Sequence, residues 1–236
     1  MASTLIVDQI QKTGGSTTAL TLPTSNASAS QYLQNNGAGA LSWATVAVPA
    51  AGGLAGTQVY TASSNTWTKA TREAALGVTI TKVMVYVTGG GGGGKTNAPS
   101  AGTGGHSGTT AIKLLDVSSV TSATVSVGLA GAGGSSPTAG GNSSWVDTVN
   151  TDVIGIGGPA GTAGATNTTP RVVSTGGDIN TYSSVTYGAT YMSAGSYWGG
   201  GSSETTARNY GEGGYSAYVG TGYAGMSGVV YVMEYM

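Results

Sequence analysis

Gly89, Gly94, Lys95 and Thr96 satisfy the spacing G-x-x-x-x-G-K-[ST] directly after the apolar run Val83–Val87. In that pattern backbone N–H groups cradle phosphates, the Lys meets the terminal phosphates and the hydroxyl holds magnesium, provided that a helix opens at the loop. The next stretch here is Asn97–Thr110, with Pro99, four glycines and no apolar residue at helical spacing. Six consecutive glycines, Gly89–Gly94, also satisfy any glycine pattern by composition. A nucleotide-binding loop is therefore the remote alternative, and a glycine loop in a β domain the expectation. His106 is the only histidine. A Ser-His-Asp relay would have to use it with Ser107 or another serine, and with Asp116 or Asp147 to orient the ring. No nucleophile elbow supports this, so His106 is expected as an exposed loop residue and Asp116 as a turn residue. Glu204, Glu212 and Glu234 are too far apart in sequence to be read as paired glycosidase carboxylates. Cysteine is absent, which removes thiolate metal sites, disulfides and a cysteine nucleophile. The expectation is a protein without catalytic residues, cofactor or metal.

The aromatic residues carry more information. Phenylalanine is absent, yet Tyr182, Tyr187, Tyr191, Tyr197, Trp198, Tyr210, Tyr215, Tyr218 and Tyr223 crowd into Gly- and Ser-rich sequence. Tyr with Gly and Ser is the composition of antibody binding loops, where stiff amphipathic rings give contact area at low entropic cost. Tyr197, Trp198, Tyr210 and Tyr215 are the candidate receptor-binding residues, with a glycan or a protein receptor as ligand. Tyr231 and Tyr235 are expected to pack within the domain.

These residues need a scaffold, and the composition restricts its kind. Charged residues make up 7% of the chain, against an average of about 25%, so Gly, Ser, Thr, Asn and Tyr must cover the surface. The 43 glycines lack the strict every-third spacing of collagen over the whole chain. A net charge of −1, with eight Lys and Arg scattered singly, leaves no electrostatic footprint for nucleic acid or an anionic membrane. "MASTLIVDQIQKTGG" is interrupted by Asp8 and Lys12 and lacks the form of a signal peptide, and no later run reaches a membrane span.

Alternating apolar residues mark the strands. Residues 1–49 hold "STLIVDQIQ", "TALTLPT" and "QYLQNNGAGALSW", the last with Asn36-Gly37 between two apolar runs, a hairpin signal. Strands this short bury no core alone, so 1–49 is expected to be an attachment segment completed by neighbouring chains. Residues 50–58 look like a linker, and 59–236 a glycine-rich β domain. In it Val83, Val85 and Val87 alternate, "TTAIKLLDV", "ATVSVGLAG" and "SSWVDTVNTDVIGIGG" come next, and "GVVYVMEYM" reads as a closing strand that pairs near Val83. "TKATREAALG", Thr68–Gly77, is the sole helical candidate. Strands with long Gly-rich loops and no crossover helices predict an all-β, sandwich-like fold. Without Cβ atoms the glycine tracts can pack backbone on backbone as extended polyglycine.

Taken in order, "NTWTKA", "TKVMVYVTGGGGGG", "GTTAIKLLDVSSVTSATVSVGLAGAGG", the Gly140–Trp145 stretch, "YGEGG" at Tyr210 and "GMSGVVYVMEYM" resemble the glycine-rich domain of bacteriophage tail-fibre and other virion proteins. The match runs from about Tyr60 to Met236 and departs at Thr68–Gly77, where related domains have a proline-containing turn. The N-terminal "LTLPT", "QYLQ" and "GALSW" series is similar to the leader of small phage fibre proteins. The resemblance implies a structural virion protein, homotrimeric, held to other virion proteins by its N-terminal segment and presenting the glycine-rich domain to the host. A head-decoration fibre is the alternative.

Overall fold

The computed structural model describes residues 9–10, 20–28, 31–35, 40–45, 53–96, 102–163, 169–184, 193–199, 201, 209–216 and 221–236. The chain divides into two compact units, Met1–Ala51 and Gly52–Met236. In the first, β1 (Gln9–Ile10) pairs antiparallel with β2 (Leu20–Thr21), and β3 (Gln31–Asn35) with β4 (Leu41–Thr45). The β3–β4 hairpin is the one the sequence signals, with Leu33 opposite Trp43, while Asn36-Gly37 lies outside the described residues. Tyr32 and Leu33 stay exposed on β3, as expected of strands too small to build a core.

The second unit holds two antiparallel sheets. One orders β12 (Ile179–Asn180), β8 (Thr110–Asp116), β7 (Lys82–Thr88), β13 (Val229–Tyr235) and β5 (Leu54–Tyr60). The other orders β11 (Val153–Gly155), β10 (Ser143–Asp147), β9 (Ser122–Ser126) and β6 (Ser64–Thr68). The closing strand pairs where the alternation placed it, with Val230 opposite Val87 and Val232 opposite Val85. Leu54–Gln58, expected as linker, are instead the start of edge strand β5, because their alternation lets them pair with Met233 and its neighbours. The unit boundary falls at Ala51/Gly52.

Period-two alternation explains the core. On β7, Val83, Val85 and Val87 are buried while Lys82, Met84 and Tyr86 take the other face. Together with Leu115, Val125, Val230 and Val232 they form one apolar cluster, in which the Trp67 and Trp145 rings lie 5.4 Å apart. Thr68–Gly77 does become helical: α1 (Lys69–Leu76) ends at Gly77, whose φ of +70° is the left-handed turn that stops a helix, its N–H donating to Glu73 O at 2.8 Å. Arg72 of α1 grips Glu234 through two bonds of 2.8 and 2.7 Å, and the Trp67 indole donates to the same carboxylate at 2.8 Å. Glu234 is fully buried on the inner face of β13, so these three donors replace the water it has lost. The hydrogen bond to Glu234 holds the Arg72 pKa above the ordinary value.

Beyond the sheets the strands run on as glycine-rich rods. β7 continues into Gly89–Gly94, whose N–H groups turn to three neighbours in rotation. Gly89, Gly92 and Lys95 donate to Thr109, His106 and Thr103; Gly90 and Gly93 to Gly141 and Thr138; Gly91 and Gly94 to Met226 and Tyr223, at 2.8 to 3.0 Å. The carbonyls rotate in the same way toward three further rods: Gly90 and Gly93 accept from Gly158 and Gly161, Gly91 and Gly94 from Gly131 and Gly134, and Gly92 from Gly214. A repeat of three residues is that of an extended polyproline-II-type helix, which forms no internal hydrogen bonds and offers all of its polar groups sideways. The central tract is thus enclosed by six rods, and each of its residues faces backbone. A Cβ on Gly93 would fall inside contact distance of the Ala132 carbonyl, and one on Gly91 inside that of Glu212. This is why all six positions are glycine.

Candidate functional site

The bundle engages the atoms that a phosphate loop would need. The N–H groups of Gly89–Gly94, all buried, point at protein carbonyls. Lys95 Nζ donates to the Ser135 carbonyl, and the Thr96 hydroxyl accepts from Gly222 N–H. In place of a helix, residues 102–109 return as a rod alongside the tract.

His106 lies in that rod and is fully buried, which corrects the expectation of an exposed loop residue. Its surroundings come from distant sequence: its N–H donates to Pro159 O at 2.9 Å, and Nδ1 faces Ser183 Oγ at 3.5 Å. The Ser107 hydroxyl accepts from Ser184 N–H at 2.9 Å. Asp116 closes a turn by accepting from Ser118 N–H at 2.8 Å, as expected. Asp147 does the same for Val149 and Asn150 at 2.8 and 2.7 Å, and Asn150 reaches the Asp116 carbonyl. His106 precedes β8 and Asp116 ends it, so a strand of roughly 20 Å separates these two candidates. Burial pushes the Asp147 carboxyl up, but hydrogen bonds from Asn150, Trp145 and Val149 outweigh it and leave the pKa below the ordinary carboxylate value. Glu234 is bound to Arg72, Glu212 is a buried acceptor for Asn209 N–H and the Ser193 hydroxyl, and Glu204 lies outside the described residues. Among the described residues no three acidic or histidine side chains gather as a metal site.

The structure divides the four aromatic candidates. Tyr197 and Trp198 occupy a turn closed by Ser196 and Gly199, with their rings edge-on at 5.3 Å. A Cβ on Gly199 would run into the Asn209 side chain, so the turn carrying Tyr210 is its neighbour. Tyr197 is 49% and Tyr210 42% exposed. Trp198 is half-buried, its indole donating to Thr88 Oγ1 at 2.9 Å and its ring resting on Tyr86 and Tyr231 at 6.1 and 6.3 Å. It is the base of the group as much as its surface. Tyr215 is 7% exposed and stacks on Tyr223 at 4.2 Å, near Gly94. Its expected place at the surface is corrected, because its ring is buried in a stack on Tyr223. With about 3.1 Å per residue, the tract from Thr88 to Gly94 sets Tyr215 some 15–20 Å from Trp198. Tyr187, Tyr191 and Tyr218 lie outside the described residues.

Sequence reasoning missed the floor beneath Tyr197. Tyr86 and Tyr231 lie at 5.9 Å from each other on the outward face of β7 and β13, and Met84 pairs with Met233 beside them. Tyr231 and Tyr235, expected as interior packing, share this half-buried outer face. The signal was present: positions between inward valines usually carry polar residues, and here they are Met84, Tyr86, Tyr231, Met233 and Tyr235.

A family model described as a glycine-rich domain matches residues 73–235. The chain belongs to this family. The match takes in the second half of α1, the strands from β7 onward and the whole bundle, so the rods are the body of the glycine-rich domain. None of the curated proteins matches the chain.

Proposed function

We propose that the chain is a structural protein of a bacteriophage particle, a tail fibre or appendage. It works as a homotrimer, is held to other virion proteins through residues 1–49, and presents the glycine-rich domain to the host surface. The observation that carries the reading is the bundle. An interior held mainly by backbone hydrogen bonds is a stiff support on which connections such as Ser135–Pro137 can vary while the scaffold stays fixed. Low charge, the resemblance of "GALSW" and "YGEGG" to phage fibre sequences, and the exposed Tyr32 and Leu33 of a hairpin without a core support it. The reading is non-enzymatic, and the phosphate-loop alternative loses its ground because its donors already have carbonyl partners. Residues 1–49 are equally suited to gripping a capsid, which keeps a head-decoration fibre as the second reading.

Immunogold electron microscopy of intact particles tests it. Label at the tail tip is expected; label over the head would select the decoration fibre, and unlabelled particles would overturn both. Light scattering on the purified chain should give a trimer, and a stable folded monomer would remove the homotrimer.

A further inference from the structure

We infer that the outward face of β7 and β13 binds an extended, uncharged oligosaccharide. The two strands lie side by side with Tyr86 opposite Tyr231, Met84 opposite Met233 and Lys82 opposite Tyr235. Tyr197 and Trp198 stand on the Tyr86 end, the Tyr86 and Tyr197 rings being 6.0 Å apart. At the other end a groove of about 430 Å³ opens among Thr81, Lys82, Met84, Leu114, Tyr235 and Met236, a size usual for small-ligand sites. Seven residues of strand extend over roughly 23 Å, the scale of several sugar rings in a row.

The chemistry selects the occupant. Flat aromatic faces suit the apolar faces of sugar rings, and phenols suit their hydroxyls. Tyr86 Oη donates to Met84 Sδ at 3.3 Å and Tyr235 Oη to Met233 Sδ at 3.7 Å. A thioether is a weak acceptor, so these donors stand to gain from a ligand oxygen. Burial, and then the neighbouring phenols of Tyr197, Tyr235 and Tyr231, raise the Tyr86 pKa. Lys82 is the only formal charge among the outward positions of the two strands, and Asp116 lies opposite it in the sheet. A strongly charged partner therefore finds at most one complementary charge, Lys82, with Asp116 beside it. A flat protein partner would seal the phenols onto thioethers, leaving them poorly satisfied, whereas a polyol supplies acceptors along the whole face.

This inference deepens the host-contact reading by naming a ligand class, and rests on it only for where such a glycan is met. Isothermal titration of the purified full chain with maltoheptaose, cellohexaose, xylohexaose and dextran tests it. Saturable binding of at least one probe is expected, unchanged between 50 and 500 mM salt. Tyr197→Ala and Tyr231→Ala should each weaken it at least tenfold. Tyr197 is half exposed, so its variant keeps the fold, and thermal melting of both checks this. Tyr223→Ala, at the far end of the bundle, should bind as the parent does. Absence of binding by all four probes, or parental affinity in both face variants, would overturn the inference. So would self-association of the chain that Met84→Glu abolishes, since the face would then be an interface between copies. Because the titration uses no particle, its outcome is independent of where the protein sits in one.

Discussion

The sandwich and the glycine bundle share the same strands and solve the problem of a dry interior in opposite ways. Between the sheets, Val83, Val85, Leu115, Trp67 and Trp145 fill space with side chains, and any one can be trimmed at the cost of a cavity. Just beyond β7, Gly89–Gly94 fill space with backbone, successive N–H groups bonding to three neighbours in rotation. The sandwich gains from burying apolar area. The bundle gains from satisfied peptide groups and close contact, against the large entropic cost of ordering glycine. The usual rule is thereby reversed: in the sandwich a residue fails by being too small, in the Gly89–Gly94 tract by having a side chain at all.

That contrast can be broken most sharply by a methyl group. Gly93→Ala drives a Cβ into the Ala132 carbonyl and should cost on the order of 4 kcal/mol or more. Val85→Ala, which removes two methyls from the sandwich core, should cost about 2 kcal/mol. Urea denaturation of both variants checks the order, and a milder Gly93 variant would mean that the rods can part. Next in size is Arg72→Ala, which strands the buried Glu234 carboxylate and should cost about 3 kcal/mol, the larger part of it as the penalty of an unpaired charge. A loss below about 1 kcal/mol would show that water reaches Glu234. Gly77→Ala tests glycine in a different capacity: it has open space around it and only its φ of +70° to defend, so a loss of about 1 kcal/mol is expected. The smallest effect concerns acid. The Asp147 pKa lies below its ordinary value in the folded chain, so its contribution is present at neutral pH and is lost as pH falls through the acid range below about 4. Asp147→Asn should flatten that part of a stability-against-pH curve; an unchanged slope would assign it to other carboxylates.

The two regions also differ in how far they could be read from sequence. The alternation at Val83–Val87 and Val230–Val232 is local, so strands, pairing and the all-β class were all legible. The bundle was visible as an excess of glycine, but not as an arrangement. Its period is written in pieces: Gly102, Gly105 and Gly108; Gly128, Gly131 and Gly134; Gly155, Gly158 and Gly161; Gly222, Gly225 and Gly228. A search for one continuous collagen-like repeat passes over four short ones. His106 was misplaced for the same reason, since its neighbours Pro159 and Ser183 lie more than 50 positions away; Tyr215 was misplaced because its stack on Tyr223 is set by the rods and not by any local pattern. Tyr197 and Tyr210 were legible because Gly- and Ser-rich turns leave rings little to hide behind; Trp198 was only half so, because Thr88 and Tyr86 lie about 110 residues earlier.

The rotation of the Gly89–Gly94 donors among three neighbours restricts how this chain can change in length. Deleting one glycine turns every later peptide by about 120°, so that Gly94 would offer its N–H to the rod that serves its predecessor. The tract behaves as a three-position dial. Substitution is barred along it by contact, and single insertions or deletions by phase, which leaves steps of three residues as the only change in length that restores each partner.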